Sequence, residues 1–349
     1  MRVSRCRNPK RVAGLCWVAG LALSLAASAA GDSGPASAIQ TPSMFDTSST
    51  PADTIADYSR LVVAVCAAIF VVVAGLLVVV IVRFRARNGD DEREPPQIYG
   101  STQIELAWTV VPILIVVLLG LVTARNILAL QKDERPQGWL PITAIGHQWW
   151  WEFRYPERGV VTANELHLPV GRPAFFDLES QDVIHSFWVP QLSGKIDLVP
   201  NRTNHLWMDP LEPGVYVGQC AEYCGTQHAN MLLRVIVHTP EDFERWLDQQ
   251  LADANPSPAV AAGRRIFETT ACISCHTVRG TDADGRFGPD LTHLMSRATI
   301  GAGVASNDRE HLIEWVTSPD HLKPGARMPA MKLEPARIEQ LVDYLLTLE

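Results

Sequence analysis

The sequence has no excess of positive charge: 30 lysines and arginines face 38 aspartates and glutamates, for a formal net charge of −8. That balance argues against a nucleic-acid partner, which needs a basic patch to displace counterions. The deficit deepens over residues 131–349, where 29 acidic and 19 basic side chains give a net −10. An acidic surface there would steer a basic soluble partner towards it. No internal repeat is visible, and no low-complexity tract beyond one short linker. Charge is missing altogether from residues 61–82 and 106–124, runs of 22 and 19 residues. A disulfide framework is lacking too, although there are seven cysteines. Cys6 and Cys16 lie near the N-terminus and Cys66 in the first apolar run. The other four form two tight pairs, Cys220/Cys224 and Cys272/Cys275, a spacing that points to metal or haem attachment rather than to staples.

What is present starts with targeting. Arg2, Arg5, Arg7 and Lys10 precede an uncharged Ala- and Leu-rich stretch ending Ala-Ser-Ala-Ala-Gly, so residues 1–30 read as a secretory signal. An uncleaved first membrane helix is the competing reading. The two charge-free runs are each long enough to cross a hydrocarbon core of about 30 Å, with helices expected over about 61–82 and 106–127. Arg83, Arg85 and Arg87 follow the first directly, which places the connecting loop in the cytoplasm. Residues 52–130 are therefore expected to be a transmembrane hairpin in a bacterial-type inner membrane, with everything beyond it on the periplasmic side. Lys132 and Arg135 are a mild conflict with that orientation.

Short segments rich in aromatic and β-branched residues follow, at 141–155, 165–168, 174–178, 204–208, 214–218 and 232–238. Pro and Gly turns separate them, the pattern of an all-β sandwich or barrel. Thr239-Pro240-Glu241-Asp242 begins a helix: a hydroxyl cap, proline at the first position, acids in the first turn. The β domain is expected over 136–251, a linker over 252–263, and a helical domain over 264–349. In the last, Ile338, Leu341, Val342, Leu345 and Leu346 mark one buried helical face.

Two motifs carry chemistry. Cys220, Cys224, His228 and Met231 place two thiolates, an imidazole and a thioether within twelve residues, a soft donor set suited to copper or zinc. His185 ends an apolar run upstream and is a second candidate imidazole. Zinc rarely recruits a thioether such as Met231, and a disulfide would need neither His185, His228 nor Met231. Cys272-Ile-Ser-Cys275-His276 is the c-type haem attachment pattern. Met328, in Arg-Met-Pro, is the expected second axial ligand, with Met331 as its competitor. Histidine plus methionine ligation suits electron transfer rather than oxygen activation.

The segment 182–190, the cluster 220–231, the run Gly146-His-Gln-Trp-Trp-Trp-Glu-Phe and the preceding hairpin together resemble subunit II of the haem–copper cytochrome c oxidases. The appended haem domain makes the chain similar to the class in which cytochrome c is fused to that subunit. The resemblance implies a cupredoxin-like domain in which Cys220 and Cys224 bridge two copper ions. His185 and His228 would cap one copper each, with Met231 and the carbonyl of Glu222 completing the set. It implies that the Glu222 side chain reaches a magnesium ion shared with subunit I, a solvated loop carboxylate being the alternative. Trp149 corresponds to the aromatic through which electrons enter the copper centre, while His147 and His167 read as structural histidines. Glu105 corresponds to a glutamate that admits protons to subunit I, yet Thr102-Gln-Ile-Glu105 is equally a helix capping box.

The expected function is electron input from a cytochrome c-type donor, through one covalent haem c and the binuclear copper, to an oxidase whose subunit I reduces oxygen to water. Two spans are too few to enclose a haem–copper centre, so subunit I and other membrane subunits are required partners. The rival readings are a copper-containing nitric oxide reductase subunit and a free-standing, membrane-tethered electron carrier.

Overall fold

The computed structural model describes residues 42–85, 97, 99–131 and 135–349. The signal reading for residues 1–30, Arg87 in the connecting loop and Lys132 lie outside the described residues. Two helices, α1 (Thr50–Arg83) and α2 (Thr102–Leu130), are long and apolar enough to cross a membrane. Both run past the expected apolar stretches. At 1.5 Å per residue, the 34 residues of α1 span about 50 Å, well beyond a hydrocarbon core.

The extra turns of α1 are anchored on the β domain, where Pro51, Ala52 and Ala56 are buried. The helix has no cap from its own Ser49. Asp209 supplies one from the far side of the sequence, accepting from Thr50 N (2.8 Å), Thr50 Oγ1 (2.6 Å) and Ser49 Oγ (2.9 Å). A carboxylate at a helix N-terminus satisfies orphan N–H groups and meets the positive end of the dipole. Trp207 ties down the other helix, its Nε1 donating to Leu130 O at 2.8 Å. The capping box expected at Thr102 and Glu105 does not form: Ser101 is the N-cap, so Glu105 falls one position too late for it. Its carboxylate instead folds back over Gly100, whose φ of +131° leaves room that a Cβ would fill.

The β domain is a sandwich of two five-stranded sheets. One runs β3 (Val160–Ala163), β2 (Trp150–Tyr155), β1 (Leu140–His147), β5 (Ala174–Ser180), β8 (Asn204–Met208). The other runs β4 (Glu165–Pro169), β10 (Leu232–His238), β9 (Gly214–Cys220), β6 (His185–Trp188), β7 (Ile196–Leu198). The aromatic stretch 141–155 is not one strand but an antiparallel hairpin turning at Gln148-Trp149, with His147 opposite Trp150. Strand alternation then sorts its tryptophans: Trp151 is fully buried and packs edge-on against Phe187 at 5.5 Å, while Trp150 stacks on His147 at 4.1 Å. Three short strands, β3, β6 and β7, lie outside the expected segments; with three or four residues each they have too little pattern to read.

Helix α3 (Pro240–Leu251) forms as expected, with Thr239 Oγ1 accepting from Asp242 N at 3.2 Å. Its Trp246 stacks on His167 at 4.0 Å, and His167 Nδ1 lies 2.8 Å from His238 Nε2. Burial drives the pKa of His167 well below its ordinary 6.5, with His238 and Arg297 pushing the same way, and burial lowers His238 against the pull of Asp242. Both therefore fold neutral, and the unfolded chain binds more protons below about pH 6.5, so stability present above that pH is lost on acidification. Thermal melts at about pH 7.5 and 5.5 should show a smaller acid penalty in His167→Gln than in the parent; an unchanged difference would remove this pair from the account.

The C-terminal domain gathers α4 (Ala261–Thr269), α5 (Cys272–Cys275), α6 (Arg309–Thr317), α7 (Pro319–Leu322) and α8 (Pro335–Leu345) around a second core. Ile338, Leu341, Val342 and Leu345 are buried on α8 as their spacing predicts. Helices α4 and α8 cross at Gly263, where an added Cβ would sit 1.9 Å from Gln340 O, so only glycine permits the contact. The segment between the domains is held rather than loose: Ala252 O lies 2.8 Å from Arg279 Nη2 and 3.0 Å from His293 Nε2, and Ala254 N donates to Arg279 O.

Candidate functional site

Four segments bring the soft donors together. His185 comes from β6, Cys220 from the end of β9, Cys224 and His228 from the loop that follows, and Met231 from the residue before β10. Cys220 and Cys224 are free thiols with sulfurs 3.8 Å apart, well beyond the 2.05 Å of a disulfide. His185 Nδ1 is 3.9 Å from Cys220 Sγ, and His228 Nδ1 is 3.7 Å from Cys224 Sγ. Met231 Sδ lies 3.8 Å from Cys224 Sγ, and the Glu222 carbonyl 3.2 Å from Cys220 Sγ. Every donor expected at the copper centre therefore faces one or the other thiol, and the set has the softness that copper favours.

The thiols perturb each other. Cys220 is drawn down to about 3 by its hydrogen bond from Cys224, with His185 helping against burial, while Cys224 is driven up by its neighbour and by burial. One thiolate is thus already favoured in the protein before a cation arrives. Burial opposes charge on His185, but its hydrogen bonds to Asp182 and Cys220 outweigh that and raise its pKa.

Asp182 is a residue that sequence reasoning left without a role. Its carboxylate is 2.9 Å from His185 Nε2, and it also accepts from the backbone of Gln148 and Val183. A carboxylate on Nε2–H fixes the tautomer and leaves Nδ1 free to bind metal, the usual outer-shell arrangement. An acid three residues before a candidate histidine is the signal that could have identified it.

The haem motif opens on a cavity of about 820 Å³. Cys272, Cys275, His276, Met328 and Met331 line it from the C-terminal domain. His276 Nδ1 donates to Pro289 O at 2.8 Å, which leaves Nε2 for an iron. Gly288 presses on the same ring, where a Cβ would approach His276 Cε1 to 2.5 Å. Cavity, thiols and a histidine of fixed tautomer all fit a covalent haem.

The wall supplied by the β domain includes His147, Gln148, Trp149, Trp150, Glu152, Arg154 and Asp182. Trp149 also donates from Nε1 to Cys224 O at 2.9 Å, beside Gln148 Nε2 at 2.7 Å from the same oxygen. One indole thus touches the copper loop and borders the haem cavity. His147 is buried and 3.2 Å from Glu152, whose carboxyl is lowered against burial by His147 and Arg154. Glu222 and Tyr223 are exposed at the tip of the copper loop, and Glu105 is exposed in the first turn of α2, apart from both centres.

Fold and sites define a class: a two-helix membrane anchor carrying a cupredoxin-like sandwich with copper-type donors, fused to a c-type cytochrome. Comparison with known families agrees segment by segment. Residues 37–125 match the transmembrane domain of cytochrome c oxidase subunit II, 157–238 match its periplasmic domain, and 260–349 match cytochrome c. A cytochrome c oxidase subunit 2 of Alkalihalophilus pseudofirmus is 37% identical over 312 residues, covering 87% of this chain and 90% of that protein. The Bacillus subtilis counterpart is 31% identical over 286 residues, covering 76% and 80%. Among solved structures, the periplasmic domain of subunit II from Bradyrhizobium japonicum is 30% identical, covering 34% of this chain and 96% of that one with a TM-score of 0.32. The chain belongs to the cytochrome c oxidase subunit II family, and is a subunit of a haem–copper oxidoreductase complex that also contains subunit I.

Proposed function

We propose that this chain is the electron-input subunit of an oxygen-reducing terminal oxidase, holding a binuclear copper centre and one haem c. When bound, those groups supply the redox centres that accept electrons from a cytochrome c-type donor and pass them to subunit I, where oxygen becomes water. The observation that carries the reading is the convergence of His185, Cys220, Glu222 O, Cys224, His228 and Met231 on one pair of sulfurs, next to a haem-sized cavity.

Within that reading Cys220 and Cys224 hold both copper ions, and the sandwich keeps the donors still so that little moves on reduction. Asp182 orients His185. Trp149 lies between the copper loop and the haem cavity and is the aromatic through which electrons enter the copper centre. Cys272 and Cys275 would form the haem thioethers, and His276 and Met328 would ligate the iron. Met331 also lines the cavity but packs against the helical core, which supports Met328 over it. The exposed Glu222 side chain is available to a magnesium ion shared with subunit I, and the exposed Glu105 to a proton path there. The sandwich and haem domain face the periplasm of a bacterial inner membrane, where their acidic balance draws a basic donor.

The test is to purify the full chain with its membrane partners, count metals, record optical and paramagnetic spectra, and identify the gas consumed. Two coppers sharing one unpaired electron, one low-spin haem and oxygen uptake are the expected result. Zinc in place of copper, or nitric oxide as the gas consumed, would sink the proposal; a chain that purifies without a multi-span partner would make it a free carrier.

A further inference from the structure

Lys323 follows α7 in the C-terminal domain and is only 3% exposed. No carboxylate lies within ion-pairing distance of it among the described residues. Its Nζ instead donates to three backbone carbonyls from three separate segments: Trp149 O at 2.8 Å, Asn230 O at 2.8 Å and Gly301 O at 2.6 Å. Trp149 is the turn of the β1–β2 hairpin, Asn230 immediately precedes Met231 in the copper loop, and Gly301 belongs to the haem domain. Burial draws the lysine down to about 7, opposed by the nearby Cys224 sulfur, while three carbonyl acceptors match the three N–H of the ammonium form. A buried charge is costly unless its hydrogen bonds are met, and here all three are.

The same segment is stitched to the copper domain at further points. Gln227 Nε2 donates to Pro324 O at 2.6 Å, and Arg327 bonds the Gln148 side chain and lies 3.9 Å from Asp182. Around it, two backbone amides cross between domains: Leu232 N to Ala302 O at 3.1 Å, and Ala298 N to Glu165 Oε1 at 2.8 Å. Residues 323–328, which end at the proposed iron ligand Met328, are thereby held against the copper loop and Trp149.

We propose that Lys323 is the positioning residue that clamps the haem domain onto the copper loop, setting the separation of the two centres so that the haem works from a fixed seat and not from a swinging tether. This rests on the function proposed above. Lysine suits the task because a compact ammonium directs three donors to carbonyls converging on one point, which the planar fork of arginine cannot reproduce.

The experiment compares the full chain in its complex with Lys323→Met, Lys323→Arg and, as a charge control, the exposed Lys195→Met. Hydrogen exchange is read at the segments holding Leu232 and Ala298 and, as a reference, in the β5–β8 strand pair, which no residue of the clamp touches. Electron transfer from photoreduced haem to copper is followed in parallel. In Lys323→Met the two interface segments lose protection while the β5–β8 pair keeps it, and the transfer slows by about tenfold or more with both spectra unchanged. Lys323→Arg restores neither in full, and Lys195→Met behaves as the parent. Parental protection in Lys323→Met, or protection lost equally in the β5–β8 pair, overturns the clamp. The exchange arm needs no metal, so a parent chain without copper or without transfer refutes the function reading while the clamp is still judged by exchange.

Discussion

Replacing Cys224 with serine is expected to abolish the proposed shared-electron copper signal and reduce oxygen uptake to background, with the haem spectrum preserved. Cys224 faces three of the other donors: Cys220 at 3.8 Å, His228 at 3.7 Å and Met231 at 3.8 Å. A serine hydroxyl is a hard donor that stays protonated at neutral pH, so it cannot bridge two soft cations. What remains is a site for one metal at most, and the hyperfine pattern collapses from two equivalent coppers to one or to none. The change at Cys224 should exceed that at Asp182. Asp182→Asn removes only the carboxylate that orients His185, and loss of an outer-shell partner typically costs about 10–100-fold in metal affinity. Metal content, paramagnetic spectrum and oxygen uptake of both variants test the order; a normal copper signal in Cys224→Ser would falsify the ligand assignment.

Met328→Leu is expected to leave the haem without its sulfur ligand, lower its midpoint potential and slow reduction by the donor, whereas Met331→Leu keeps ligation intact. Thioether ligation raises the iron potential, so its loss makes the haem a poorer electron acceptor. Each ~59 mV of that fall shifts a one-electron equilibrium tenfold against reduction. The two methionines both border the cavity, but Met331 is engaged with the helical core and its replacement should be felt there as a modest loss of stability. Redox titration and the sulfur-to-iron charge-transfer band separate them. If Met331→Leu removes the band and Met328→Leu does not, the assignment is reversed.

Much of the candidate site was legible because its chemistry is dense in the sequence. Cys220, Cys224, His228 and Met231 fall on one loop, and Cys272, Cys275 and His276 on one turn, so local spacing alone brings them close. The transmembrane runs were legible for a similar reason, since hydrophobicity without charge needs no tertiary partner to be read. Helix limits were less so. The first turns of α1 are polar, and their N-terminus is capped by Asp209, which follows β8 and lies 159 residues later in the chain. The capping-box reading of Glu105 failed on a single residue of phase, which sequence leaves free and the actual N-cap at Ser101 decides.

Other features had no signal to find. Lys323 is an ordinary lysine in the sequence, and only the meeting of Trp149, Asn230 and Gly301 turns it into a buried three-way donor. Prolines and small residues mark the linker, but only the fold shows that Arg279 and His293 fasten its start. Residue order alone tells which donors are present, that two charge-free runs are long enough to span a membrane, and that a haem motif follows a copper-type loop. Those are properties of composition and short spacing. Tertiary structure alone decided that His185 turns Nδ1 towards Cys220, that Trp149 borders both centres, and that the haem domain is seated against the copper loop. Each of these is a contact between segments distant in the chain, fixed by which backbone carbonyls and carboxylates the fold brings within hydrogen-bond reach.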